Sequence, residues 1–130
     1  MQRLSIKGTL MFQNTPCCEF VIEDDICTEF VVLCENKNLL PYGCNTDSFQ
    51  NYKKNLVLFF YDRTTPPTRQ FIQQSLAAAG MKYYDMSKII MYQHGLAQDP
   101  YWIRSDEGPQ TWEDAKKDMQ DKYFESLGRT

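Results

Sequence analysis

At 130 residues, with 42% hydrophobic and 14% aromatic side chains, the chain has the apolar mass for one packed domain and too little length for two. Its longest apolar run, Leu56 to Tyr61, is far shorter than the roughly 20 residues a membrane-spanning helix needs. The start, Met1 to Lys7, lacks the apolar core of a secretory signal, so the expected location is cytoplasmic.

The net charge of −3 argues neither for nor against a polyanionic partner. Its distribution is more informative. Residues 53–104 carry seven basic and three acidic side chains, a balance of +4, between flanks of −4 and −3. Such asymmetry marks either a face for an acidic partner or charge balance within one fold. All five cysteines (Cys17, Cys18, Cys27, Cys34 and Cys44) lie in the first 44 residues, and the one histidine, His94, is far from them. An odd count without C-x-x-C spacing suits reduced thiols and not a zinc site or a disulfide framework. No metal or cofactor is expected.

In chain order, the first third reads as β. Ile6 to Phe12, Glu19 to Glu23 and Ile26 to Leu33 carry strand-forming residues, with turns at Asn14-Thr15-Pro16 and Asp24-Asp25. A meander this small must lay one face on helices. Residues 36–45 turn polar, with Pro41 and Gly43 as breakers. Thr46 or Asp47 then caps a predicted helix to about Tyr61, whose apolar positions Phe49, Tyr52, Leu56, Phe59 and Phe60 recur at helical spacing. The run 56–61 is apolar nearly all round, so it is either buried on both sides or has one side free for contact.

Pro66 and Pro67 stop that helix and start another, from about Pro67 to Ala79, ended by Gly80. Asp85 caps a short helix to about Gln93, and Gly95 ends it. Tyr101 to Arg104 reads as a brief extended or irregular piece. Thr111 and Asp114 resemble a capping box for a final helix over about 111–126. The expectation is an α+β fold: one domain over 1–130, with a short N-terminal antiparallel β-meander (1–35) packed on about four α-helices (46–127).

Three short patterns recur in fixed order: Arg63-x-x-Pro66-x-x-Arg69, then Leu96-x-x-Asp99-x-Tyr101-Trp102-Ile103, then Trp112-Glu113-Asp114. Over about residues 60–117 the set resembles the region ahead of the kinase-like domain in some bacterial HipA-like proteins. The resemblance implies a free-standing accessory module, and small relatives of this kind look like cargo of bacterial mobile elements. Kinase activity is not implied, because the phosphate loop, the catalytic-loop Asp and Asn and a magnesium-binding Asp have no counterpart here.

Without the resemblance, Arg63 and Arg69 flank a rigid proline turn. They either clamp Asp99 or another carboxylate by bidentate bonds, or stand exposed to grip a phosphate or acidic peptide. Trp102 and Trp112 are expected to weld the last helix onto the helix pair. His94, at a helix end, is expected against that terminus's free carbonyls. With no base beside a nucleophile, no catalytic residue is named.

The expected function is a non-catalytic protein-interaction or regulatory module, an inhibitor or accessory factor from a mobile element or phage, with an anti-defence role among the readings. Its partner-binding candidates are Arg63, Arg69, Leu58, Phe60, Tyr61, Lys88 and Arg104, and its structural motif is Pro66, Asp99, Tyr101, Trp102, Trp112 and Asp114. The expected partner is another protein, with a homodimer open and no membrane. The alternative is a helix-turn-helix-like DNA-binding regulator built on 71–79 and 86–93. It is weakened by a single basic residue, Lys88, in the would-be recognition helix.

Overall fold

Three β-branched and aromatic runs separated by two-residue turns form a meander: β1 (Ile6–Phe12), β2 (Thr15–Glu23) and β3 (Ile26–Val32). The computed structural model describes residues 3–41, 43–44, 51–63, 80, 85–97 and 99–128, with side chains described up to 121. Asp24 and Asp25 both take positive φ, 49° and 69°, as a tight hairpin turn that matches strand twist requires. That conformation costs an L-residue about 1 kcal/mol or more, and local bonds offset it. Asp25 Oδ1 accepts the Leu4 N–H at 2.6 Å, Asp25 N–H donates to Leu4 O at 2.9 Å, and Ser5 Oγ accepts the Asp24 N–H at 3.0 Å. The Tyr61 hydroxyl also donates to Asp25 Oδ1.

The first turn lies one step earlier than the residue types suggest. Phe12 pairs with Thr15, so Gln13 and Asn14 form the turn and Pro16 lies inside β2. The register jumps from Leu10↔Cys18 to Met11↔Pro16, leaving Cys17 as the extra residue of a bulge. A bulge is where a strand tolerates a proline that has no N–H for the ladder.

A fourth strand, β4 (Tyr101–Arg104), pairs antiparallel with β1 and sets the sheet order β3-β2-β1-β4. The extended piece expected here is therefore a full member of the sheet. Gly8 permits the approach, since a Cβ there would lie 2.7 Å from Ile103 Cγ2 and 2.9 Å from the Arg104 carbonyl oxygen.

The described residues hold three α-helices, not about four: α1 (Tyr52–Tyr61), α2 (Met86–Tyr92) and α3 (Trp112–Gly128). The expected helix over 67–79 and the caps Thr46 and Asp47 lie outside the described residues. α1 starts at Tyr52 because Asn51 is left-handed, at φ 61°. Asp85 caps α2 by accepting the Lys88 N–H at 3.0 Å. Thr111 Oγ1 accepts the Asp114 N–H at 3.2 Å at the head of α3.

The sheet has two unlike faces. On the inner face Ile6, Leu10, Cys18, Phe20 and Ile22 pack with Leu56, Val57 and Phe60 of α1 and with Met86 and Ile90 of α2. On the outer face, the β1–β4 end carries Met11 and Trp102, both buried in a second cluster with Ala115 of α3. The β2–β3 end of that outer face has exposed residues at Glu19, Glu23, Ile26, Glu29 and Val31.

Candidate interaction surface

Arg63 of the first pattern meets Asp99 and Tyr101 of the second at one seam. Arg63 follows α1 directly and is buried, at 8% exposure. Its Nη1 and Nη2 donate to Asp99 Oδ2 and Oδ1 at 2.6 and 2.7 Å, its Nε donates to Gly95 O at 2.7 Å, and Nη2 also reaches Tyr101 O at 2.9 Å. The guanidinium lies 4.8 Å from the Phe59 ring centroid. A planar five-donor fork is the group that can meet all these acceptors together. Burial pushes the Asp99 carboxyl up. The Arg63 hydrogen bonds, the Tyr101 N–H and the Arg63 charge outweigh it, so the net shift is down. Arg63 is therefore a clamp between α1, the turn after α2 and the start of β4, and its fork is not offered to a partner.

The rest of the motif extends the seam. Tyr101 donates to Leu39 O at 2.6 Å and meets Phe12 and Phe59 edge-on, with centroids 5.3 and 5.5 Å apart. Burial first, then nearby Cys17 and Asp99, pushes its phenol up to about 12. Trp102 is fully buried and donates Nε1–H to Gln13 O at 2.6 Å. It welds α3 to the sheet through Met11 and Ala115, not to the helix pair, because strand alternation turns it to the outer face. Trp112 is half-buried, with its N–H donated to Asn14 Oδ1 at 2.8 Å, while Asn14 Nδ2 donates to Glu113 at 3.3 Å. Asn14, which the sequence placed only in a turn, thus anchors the head of α3. His94 pairs with Asp118 of α3, not with helix-end carbonyls. Its positive φ of 54° carries the side chain off the α2 terminus.

Among the partner-binding candidates, Phe60 is fully buried against Phe20, whose ring centroid is 4.8 Å away, and so belongs to the core. The apolar run 56–61 divides accordingly: Leu56, Val57 and Phe60 face inward, and Leu58 is 51% exposed. Tyr61 is half-buried and holds Asp25. Lys88 is exposed on α2, and Arg104 is half-buried at the β4 end of the outer face. Arg69 and Pro66 lie outside the described residues.

Four of the five thiols are held protonated by burial. Burial, with help from Cys34, pushes Cys17 up to about 11. Burial, with help from Cys27, pushes Cys44 up to about 12. Cys18 and Cys27 are raised by burial as well. A thiol held protonated is a poor nucleophile and a poor metal ligand. Among the described residues no three His, Cys, Asp or Glu side chains are grouped to hold a metal ion. No described helix is long and apolar enough to cross a membrane.

One surface escaped the sequence reading. Ile26 and Val31, at 65% and 53% exposure, with Leu33 just beyond, put three large exposed apolar side chains on or beside edge strand β3. Beside them, between β3 and α1, runs a groove of about 420 Å³ lined by Ile26, Cys27, Tyr52, Lys53, Lys54 and Val57. The run from Phe30 to Leu33 is apolar at every position, so alternation could not assign its faces. A scan against protein-family models and searches of curated proteins and of solved structures find no match to this chain.

Proposed function

We propose that this chain is a non-catalytic protein-interaction or regulatory module, of the accessory or inhibitory kind that a bacterial mobile element or phage carries. It docks its partner on the exposed β2–β3 end of its sheet. The observation that carries the reading is the edge strand: Ile26, Val31 and Leu33 are held in water while Arg63, Asp99, Tyr101 and Trp102 are spent on internal bonds. An exposed apolar cluster at a sheet edge is costly to keep unless something covers it. The DNA-binding alternative draws less support, since α2 buries Met86, Ile89 and Ile90 and offers Lys88 as its one cation.

Affinity purification of the tagged chain from its native cell, with mass spectrometry, tests this beside Val31→Asp and Leu58→Asp variants. A stoichiometric protein partner lost with Val31→Asp in a still-folded chain is the expected result. Loss with Leu58→Asp instead moves the surface to α1. Recovery of nucleic acid without protein overturns the reading.

A further inference from the structure

We infer that β3 accepts an extended segment of the partner protein as a fifth strand, with basic side chains on its outward row and apolar ones on its inward row. This rests on the protein-interaction reading and specifies its chemistry. Three independent features of the edge support it.

The first is backbone orientation. Leu33 donates its N–H to Cys17 O at 2.8 Å, so its polar groups face β2. Strand alternation then turns the N–H and C=O of Phe30 and Val32 toward the open side. Among the described residues β3 pairs with β2 alone. The extra residue Thr28, where the register jumps from Val21↔Glu29 to Ile22↔Cys27, interrupts the edge and leaves 29–33 as its regular stretch.

The second is the groove. It lies between β3 and α1, on the side to which Cys27 points. An added strand along 29–33 would send its inward side chains against the Tyr52 ring, whose centroid is 5.1 Å from that of Phe30. Where it passes Thr28 it would meet the groove at Cys27 and Val57, beside Lys53 and Lys54. Strand addition draws affinity from main-chain bonds and specificity from such alternate pockets.

The third is charge. On the outer face β2 exposes Glu19 and Glu23 and β3 exposes Glu29, with Lys7 of β1 as their nearest cation in the ladder, opposite Val21. An outward row of lysine or arginine complements these carboxylates while its stems cover Val31 and Ile26. The same charge argues against a second copy of this chain as the occupant, because pairing β3 with itself antiparallel brings two acidic faces edge to edge.

The test uses the full 15N-labelled chain and the probe peptide Thr-Lys-Ile-Lys-Val-Lys-Ile-Lys-Thr, beside a counterpart with every Lys replaced by Glu. The expected result is saturable amide shifts with slowed exchange at Phe30 and Val32, and binding at least about tenfold weaker for the Glu peptide and in higher salt. Val32→Pro removes an outward donor without touching the β2 ladder and should abolish binding in a chain with an unchanged spectrum elsewhere. Glu29→Lys, a surface change that needs no refolding, should narrow the preference between the peptides, with Glu19 and Glu23 still in place. Equal binding of both peptides, binding that survives Val32→Pro, or no perturbation at 29–33 overturns the inference. So does a concentration-dependent dimer built on β3. A natural partner captured through Leu58 would overturn it too, while leaving the protein-interaction reading intact.

Discussion

The two ends of the outer sheet face are built from the same alternating backbone and end in opposite states. At the β1–β4 end Met11 and Trp102 are buried under Ala115 of α3. At the β2–β3 end the outward positions Glu19, Glu23, Ile26, Glu29 and Val31 are exposed, with Val21 beside them half-buried. The difference is not hydrophobicity alone, since Ile26 and Val31 are as apolar as Met11. It is coverage: α3, tied to the first turn by Asn14, lays Ala115 on Met11 and Trp102, while the other end stays exposed. Carboxylates interleave the apolar side chains at the open end and keep that face hydrated, while Ile26 and Val31 remain exposed for a partner to cover.

Replacements at the two ends should separate this comparison sharply. Trp102→Ala empties the covered end and breaks the bond to Gln13, and should cost about 3–5 kcal/mol in denaturant unfolding. A loss under about 1 kcal/mol would mean that α3 is not seated there. Arg63→Ala leaves Asp99 facing Gly95 and Tyr101 without its cation. Because Asp99 is partly exposed, the expected cost is about 2–3 kcal/mol, below that of a fully buried pair. Arg63→Lys should recover little of it, since an ammonium cannot span both carboxylate oxygens and two carbonyls.

The same clamp predicts a pH dependence. The Asp99 carboxyl is lowered in the folded chain, so the stability it adds is present above the unfolded value of about 3.9. That stability is lost as pH falls through the folded value. Wild type and Asp99→Asn should therefore differ in thermal midpoint at neutral pH and converge as pH falls below the unfolded value and through the lower folded one. A difference that persists unchanged into acid would mean that the Asp99 charge is not what the clamp uses.

Smaller effects sharpen the contrast further. Asn14→Ala removes the acceptor for Trp112 N–H and should cost about 1 kcal/mol, as loss of a helix cap does. Val31→Thr at the open end should change folding stability by less than about 0.5 kcal/mol and leave the unfolding slope unaltered. A larger loss would show that the open end is covered within the chain itself.

Much of the local structure was legible in the residues. Asp24-Asp25 announced a turn, Asp85 and Thr111 announced helix starts, and strand-rich runs announced the meander, because each depends on neighbours in sequence. Bidentate pairing of Arg63 with Asp99 could be anticipated from fork geometry, though not told apart from an exposed arginine. The bulge that admits Pro16 and the recruitment of Tyr101 to Arg104 as β4 could not be read. Both arise from partners across the sheet. Phe60 and Leu58 sit two residues apart in one apolar run, and no periodicity in so short a run separates the buried from the exposed.

The sequence by itself determined an α+β chain with a meander first, the Asp24-Asp25 turn, the caps Asp85 and Thr111 and an ordered set of motif residues, since these follow from short-range sterics and hydrogen bonding. Only the tertiary structure decided that Arg63, Asp99 and Tyr101 form an internal seam. It decided too which half of the outer sheet face α3 covers and which β-strand stands at the open edge. Burial is a property of where distant elements meet, and the same apolar residue becomes core or docking surface according to what is packed upon it.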